Sequence, residues 1–288
     1  MTNTLPRALD DHALQQLLDE DVRFGDLTTE SLGIDARLGT IRFFARDPMT
    51  VCCSEEAARL FALCGAPAKA RVPSGTTAAP GTLLLEATGS AGALHRACKT
   101  AQTLMEWSSG VASSAAEIVA SARRADPHAM VAGTRKNTPG TRRLTTKAFR
   151  AGGAVMHRLG LSETLLVFAE HRLFLDRNEP TETIARLRRE CPEKRVVVEV
   201  STHAEALARA DCDVLQLEKF APDGVAEVVA ALTAAGSTAL VAAAGGVHAG
   251  SAEDYVRAGA RLLVTSAPHF AKPRDVQVRF AIDGADAA

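Results

Sequence analysis

The chain has 288 residues, of which 47% are hydrophobic and 23% are charged, as in an ordinary globular protein. The 33 lysines and arginines nearly balance the 34 aspartates and glutamates, and aromatic residues are few (10 Phe, 1 Trp and 1 Tyr). These values exclude a general nucleic-acid binder, which should be visibly basic and should offer rings for base stacking. The length predicts one large domain or two smaller ones.

No segment is typical of a membrane span or of a signal peptide. The apolar runs fall short of the ~18 residues that a span needs, and acidic residues occupy the N-terminus where a signal peptide is apolar. The six cysteines form no CxxC pair and no disulfide-scaffold spacing. We therefore expect reduced thiols in a cytoplasmic protein.

The first part of the chain mixes strands and helices. Residues 40–46 and 82–87 are typical of strands. Ser54, followed by two glutamates, is typical of a capped helix start. A long helix is expected from about 92 to 124, with a break near Gly110. This order favours an α+β layer.

The later part alternates short apolar runs with helical segments, which is the pattern of a parallel α/β architecture. A barrel or partial barrel is the predicted arrangement, and a doubly wound sheet is the alternative. No GxGxxG follows a strand, so nothing supports a dinucleotide fold. Strands are expected at 129–132, 154–157, 164–168, 195–200, 214–217, 239–243 and 261–265, and helices at 142–151, 181–190, 203–210, 223–235 and 251–258.

We therefore predict an α/β protein of two domains. Residues 1–112 form an N-terminal α/β sandwich, and residues 113–270 form a partial (β/α) barrel of parallel strands. The segment 271–288 contains an alternating stretch, VQVRFAI, and is expected to return to the first sheet as a strand.

Cationic residues follow the first two barrel strands. Arg135 and Lys136 follow one of them, and His157 and Arg158 follow the next. Ligands of parallel barrels bind at these strand ends, and converging cations repel one another unless an anion is bound. Arginine forks match carboxylates and phosphates. The sequence thus predicts a polyanion site, although either pair alone could be a solvated loop.

The remaining strand ends carry glycines and carboxylates. Gly245 and Gly246 allow backbone N–H groups to approach a phosphate, and the last loop, with Ser266 and Ala267, is assigned to the same phosphate site because late barrel loops commonly take this role. Glu199 and Glu218 end buried strands, where a carboxylate is unfavourable unless it binds something. Metal-bound pyrophosphate or ribose hydroxyls would suit them, and a salt bridge to Arg135 or Lys219 is the alternative.

Several motifs in this order resemble the quinolinate phosphoribosyltransferase family over nearly the whole chain. Two longer stretches, 157–175 and 264–273, resemble its ModD branch, which is associated with molybdenum transport. The family motifs are GDLTT at 25–29, TRKNTPG at 134–140, GG at 152–153 and HRLGLS at 157–162.

The resemblance implies a dimeric enzyme of NAD biosynthesis. Such an enzyme transfers phosphoribose from phosphoribosyl pyrophosphate to quinolinate with Mg²⁺, releasing pyrophosphate and carbon dioxide. It further implies that Lys136, Glu199 and Glu218 are catalytic, and that the two glutamates face Mg²⁺. The substrate's carboxylates would be held by Arg96, supplied by the neighbouring subunit, and by Arg135, Lys136, His157 and Arg158.

The chain departs from the family pattern on the donor side. Phe168 stands where the family has a lysine, Val197 where it has a glutamate, and Glu218 where it has an aspartate. We therefore expect weak quinolinate turnover with intact acid binding. Two other functions stay open: a Schiff-base lyase that uses Lys136, and a non-catalytic protein that binds phosphate or an oxyanion such as molybdate.

Overall fold

The computed structural model describes residues 5–175 and 180–282, and the chain divides into two compact units. The first contains the described residues of Met1–Ala116, Thr138–Gly153 and Pro268–Ala288, and the second contains Glu117–Asn137 with those of Ala154–Ala267. The sequence assigned 138–153 to the barrel domain, whereas the structure groups this segment with the first unit.

The elements agree closely with those expected from the sequence. In chain order they are α1 (Asp11–Val22), α2 (Leu27–Ser31), β1 (Leu38–Ala45), β2 (Met49–Thr50), α3 (Ser54–Leu63), β3 (Ala68–Ala70), β4 (Thr77–Ala78), β5 (Leu83–Ser90), α4 (Ala91–Ala125), β6 (Met130–Gly133), α5 (Arg142–Ala151), β7 (Val155–Met156), β8 (Leu165–Val167), α6 (Ala169–Arg172), α7 (Pro180–Glu190), β9 (Val196–Val200), α8 (His203–Ala208), β10 (Val214–Glu218), α9 (Pro222–Ala234), β11 (Leu240–Ala244), α10 (Ala252–Arg257), β12 (Leu262–Thr265), a 3-10 helix (Ala267–Phe270) and β13 (Val276–Ile282).

The first unit is built on an antiparallel sheet with the strand order β13-β1-β5-β3. Phe43 of β1 lies opposite Val278 of β13, which confirms that the C-terminal segment returns to this sheet. Residues 283–288 of that predicted segment lie outside the described residues. Helix α3 covers the sheet, and its Phe61 packs edge-on against Phe43 with 5.7 Å between ring centroids.

Two local expectations for this unit are wrong. Helix α4 runs unbroken through Gly110. This glycine lies against the main-chain carbonyl of Lys272, with which a Cβ would collide. Gly110 therefore permits a close backbone approach rather than ending the helix. Ser54 does not cap α3 either: Cys53 precedes the helix with a φ of 61°, and the buried Ser54 hydroxyl has no hydrogen-bond partner among the described residues.

The second unit is built on seven parallel strands in the order β7-β6-β12-β11-β10-β9-β8. Every strand expected from the apolar runs is present. Apart from the β6–β12 pair, neighbours in the sheet are consecutive in the chain, which confirms a partial barrel rather than a doubly wound sheet. Its interior contains a cluster of small and branched side chains: Val197, Val214, Ala242, Ala244 and Val264.

Candidate active site

A cavity of about 680 Å³ opens at the carboxyl ends of the barrel strands, a size typical of small-molecule sites. Its lining comes entirely from the second unit. Ten residues assigned from the sequence to catalysis, substrate binding or phosphate binding meet there. They are Arg135, Lys136, His157, Arg158, Glu199, Glu218, Gly245, Gly246, Ser266 and Ala267.

Arg96 does not line this cavity. It is half-buried on helix α4, within the first unit. Its expected role, donation to the site of a neighbouring subunit, stays a prediction.

The loops after β6 and β7 present the cations. Backbone hydrogen bonds fix both loops: Thr134 N donates to Thr265 O at 3.0 Å, and His157 N donates to Gly133 O at 3.0 Å. The Arg158 side chain is 6% exposed, and its guanidinium carbon lies 5.7 Å from the centroid of the Phe168 ring. At that distance the ring face attracts the cation.

These cations face one another rather than carboxylates. Burial lowers the pKa of His157, and the Arg158 charge lowers it further. Burial also lowers the pKa of Arg158, with Arg135 as the second cause. Across residues 5–175 and 180–282, no carboxylate forms an ion pair with Arg135, Lys136 or Arg158. A bound anion would relieve this repulsion.

Strands β9 and β10, towards the other end of the sheet, present hydrogen-bond acceptors. The Glu199 carboxylate accepts a hydrogen bond from Gln216 Nε2 at 2.7 Å. Burial raises the pKa of Glu199, and the Glu218 and Glu170 charges raise it further. The expected alternative, a salt bridge from Glu199 to Arg135, does not form. Glu199 is thus a partly desolvated carboxylate beside two others.

Arg172 contacts Glu199 without neutralising it. Its guanidinium donates to the Glu199 main-chain oxygen at 2.8 Å and pairs with the Glu205 carboxylate at 3.1 Å. Arg172 therefore positions the end of β9 and leaves the Glu199 carboxylate facing the cavity.

The glycine loop after β11 lies between the cationic and acidic ends of the strand order. Gly245 and Gly246 have φ values of 79° and 88°, which favour glycine. A Cβ on Gly245 would lie 2.6 Å from Lys219 Cγ and 2.9 Å from Glu218 Oε1. Thr265 Oγ1 donates to Val247 O at 2.7 Å, which fixes this loop to the end of β12. The assignment of phosphate to these loops stays a prediction.

The two apolar departures from the family pattern lie at different depths in the barrel. Phe168 lines the cavity and contacts Arg158. Val197, by contrast, is 3% exposed and packs in the barrel interior, outside the cavity lining. Val197 itself therefore does not line the donor side, and the expected effect of the missing glutamate stays a prediction.

The sequence analysis missed three polar residues of the lining: Glu170, Gln216 and His248. Gln216 had a usable signal, since an amide in the middle of the apolar strand VLQLE is unusual. Glu170 lies on the short polar helix α6, and His248 lies in the loop after β11, where polar residues are ordinary and carry no such signal.

Two further features are absent from the described residues. No group of three or more His, Cys, Asp or Glu side chains within them is arranged to hold a metal ion. In the same residues, no helix is long and apolar enough to cross a membrane.

Comparisons with known proteins assign the family. Residues 26–109 match the model "Quinolinate phosphoribosyl transferase, N-terminal domain", and residues 111–279 match the corresponding C-terminal domain. Two relatives carry the name "Putative pyrophosphorylase ModD". The one from Rhodobacter capsulatus is 51% identical over 255 residues, covering 88% of this chain and 98% of the relative. The one from Escherichia coli is 40% identical over 268 residues, covering 92% and 94%.

A solved structure shares the fold of this chain. The nicotinate-nucleotide pyrophosphorylase structure from Francisella tularensis superposes with a TM-score of 0.87, at 19% identity, over 97% of this chain and 98% of that one. At this identity the superposition establishes the fold alone, whereas the family models span both units. The chain therefore belongs to the quinolinate phosphoribosyl transferase family.

Proposed function

We propose that this protein is a pyrophosphorylase that transfers a phosphoribosyl group from phosphoribosyl pyrophosphate to a cyclic carboxylic or dicarboxylic acid such as quinolinate. The separation of charge inside the cavity carries this proposal. Cations follow β6 and β7, whereas acceptors follow β9 and β10. A ligand that satisfies both ends needs anionic groups at one end and hydroxyls or a bound cation at the other. A sugar phosphate together with a carboxylic acid provides both.

The chemistry that fits this arrangement is positioning and electrostatic stabilisation. The bond between the ribosyl C1 and the pyrophosphate oxygen breaks, a bond between C1 and the acceptor forms, and pyrophosphate leaves. Arg135, Lys136 and Arg158 would hold the acid, while Glu199 and Glu218 would stabilise positive charge that develops at C1. No side-chain nucleophile is needed.

Mg²⁺ is part of the proposal. Burial raises the pKa of Glu199 most, and the Glu218 and Glu170 charges raise it further; a divalent cation near Glu199 and Glu218 would offset both effects. Mg²⁺ commonly uses one or two carboxylates and takes its other ligands from substrate phosphates and water, so two glutamates suffice. When bound, it would neutralise charge on the leaving pyrophosphate.

The proposal also includes a homodimer in which Arg96 acts in trans. Mixing inactive Arg96→Ala subunits with inactive Arg135→Ala subunits should restore part of the activity, because some mixed sites contain neither change. A monomer at micromolar concentration in sedimentation, or no recovery on mixing, would contradict this part.

The activity is tested by following pyrophosphate release from phosphoribosyl pyrophosphate and Mg²⁺ with a panel of cyclic carboxylic acids. We expect release that depends on one of the acids, with quinolinate turned over more slowly than about 1 per second. Arg158→Gln should abolish release, whereas Arg188→Gln, an exposed arginine outside the cavity lining, should not. Release that is absent with every acid, or independent of the acid, would contradict the proposal.

The two other functions have less support. A simple oxyanion binder accounts for the cations, but it leaves Glu170, Glu199 and Glu218 in the same cavity without a role. A Schiff-base lyase needs a desolvated lysine, whereas Lys136 is exposed. The link to molybdenum transport, which rests on the resemblance to the ModD branch, stays a prediction.

A further inference from the structure

Gln216 is a buried amide at the inner end of the cavity. It lies in the middle of β10, and strand alternation places its side chain on the same face as Val214 and Glu218. Only 4% of the residue is exposed, yet it belongs to the cavity lining. Gln216 and Glu199 are register partners on neighbouring strands.

The two ends of this amide have different surroundings. Nε2 donates to the Glu199 carboxylate at 2.7 Å, whereas Oε1 has no hydrogen-bond partner among the described residues. An ionised carboxylate only accepts hydrogen bonds, so Glu199 takes the amide nitrogen of Gln216 and leaves the amide oxygen unsatisfied. Buried acceptors are seldom left without a donor in folded proteins. The donor that this oxygen lacks can come from the cavity.

We propose that Gln216 is a specificity-determining residue whose Oε1 accepts a hydrogen bond from a hydroxyl group of the bound ligand. This inference rests on the proposed function, because it takes a phosphorylated sugar as the ligand. Besides the charged residues of the cavity, the site would then contain a neutral residue that selects a hydroxyl.

The chemistry of the surroundings favours a hydroxyl over other groups. A carboxylate or a doubly ionised phosphate monoester has no proton to donate at neutral pH, so Gln216 would disfavour these anionic groups at this end of the cavity. An ammonium group would interact more strongly with the Glu199 and Glu218 carboxylates than with an amide oxygen. The amide thereby orients the ligand, with its hydroxyls towards β10 and its anionic groups towards β6 and β7.

The test compares wild type with Gln216→Met across a set of ligands that differ in one hydroxyl. This change keeps the side-chain length and removes the acceptor. Leu217→Met is the matched control, because Leu217 is on the same strand, is fully buried and lies outside the cavity lining. Calorimetric titrations would compare ribose 5-phosphate, its 2-deoxy and 3-deoxy analogues, and inorganic phosphate.

Wild-type protein should bind ribose 5-phosphate about tenfold more tightly than one of the two deoxy analogues. In Gln216→Met this preference should disappear, while phosphate binding stays unchanged. Leu217→Met should retain the preference. A purely structural role would weaken all four ligands together, including phosphate, and would leave the preference intact.

The outcomes separate the two proposals. Phosphate binding without hydroxyl preference in the wild type, or a preference that survives in Gln216→Met, overturns the role of Gln216 and leaves the proposed function standing. Failure of the wild type to bind either ribose 5-phosphate or phosphate overturns both.

Discussion

Both compact units bury charged side chains, but a cluster in the first unit pairs them with opposite charges, whereas the cations that line the barrel cavity have no carboxylate partner among the described residues. In the first unit, Lys147 of α5 is 5% exposed, and its ammonium lies 2.6 Å from Glu56 Oε2 and 2.9 Å from Glu55 Oε2. Glu56 Oε1 accepts from Ala8 N at 2.6 Å, and Glu55 accepts from Ser74 N at 2.8 Å. Each charge in this cluster has a partner.

The barrel cavity is arranged in the opposite way. Arg158 is buried to the same degree as Lys147, yet its neighbours are another cation, Arg135, and an aromatic ring. Glu199 has a neutral amide and two further carboxylates as neighbours, and the nearby Arg172 forms its ion pair with Glu205. Paired buried charges hold a fold together, whereas unpaired ones in a cavity indicate a functional site.

The largest expected effect comes from breaking the paired cluster. Lys147→Met should lower the free energy of unfolding by about 3–5 kcal/mol, because it leaves Glu56 buried without a counter-charge. Urea denaturation measures this loss. Arg143→Met on the same helix is the control, since its pair with Asp10 is exposed and should not affect the midpoint. Equal effects of the two changes would show that the cluster is not a structural ion pair.

Removing an unpaired cation of the cavity should instead weaken ligand binding without destabilising the fold. Arg158→Gln should weaken the binding of pyrophosphate by about 2–5 kcal/mol. It should leave the unfolding midpoint unchanged or raise it, because it removes a buried cation whose neighbour, Arg135, is also a cation. Calorimetry and urea denaturation on the same sample would show both effects, with Arg188→Gln as control. A variant that is destabilised and still binds pyrophosphate would contradict the comparison.

The pH dependence of anion binding gives a smaller effect. Burial and Arg158 hold the pKa of His157 below its usual value of 6.5, so the ring is neutral at pH 7 and gains charge only as the pH falls through the lowered pKa. Sulfate keeps its charge across this range and should bind up to about tenfold more tightly at pH 5.5 than at pH 7.5. His157→Gln should flatten this dependence.

Glu199 also titrates as the pH falls, because its pKa is raised, and its protonation would likewise favour an anion. Comparing His157→Gln with Glu199→Gln separates the two contributions. An unchanged pH profile in His157→Gln would show that its imidazole does not face the anion.

The smallest expected effect belongs to the aromatic neighbour of Arg158. Phe168→Leu removes the ring face and should weaken pyrophosphate binding by about 0.5–1 kcal/mol. Phe174→Leu is the control, since Phe174 is 89% exposed and lies outside the cavity lining. Equal affinities for wild type and Phe168→Leu in the same titration would show that the ring contact does not position Arg158 for binding.

Much of the fold could be predicted from local sequence pattern. Buried parallel strands are short apolar runs, and the runs at 195–200, 214–217 and 239–243 correspond to β9, β10 and β11. The break expected at Gly110 does not occur. The glycine is needed there to accommodate the carbonyl of Lys272, which lies more than 160 positions further along the chain. Such tertiary contacts leave no local signal.

Most of the cavity could also be predicted, since carboxyl ends of parallel strands converge at one edge. Arg135 and Arg158 were found in this way. The position of Val197 beneath the lining and the omission of Gln216 have one cause. Which residue of a strand reaches the cavity and which stays in the layer beneath depends on register and depth, and periodicity alone does not fix these.

The central claim is that the unpaired cations and the acceptors of the cavity are satisfied by one ligand with an anionic end and a hydroxyl-bearing end. Calorimetric titration of wild type and Glu218→Gln with phosphoribosyl pyrophosphate plus Mg²⁺, and separately with molybdate, tests it most directly. We predict that phosphoribosyl pyrophosphate binds about 100-fold more tightly than molybdate, and that Glu218→Gln weakens only the former. Molybdate binding as tight as that of phosphoribosyl pyrophosphate, with no effect of Glu218→Gln on either, would contradict the account.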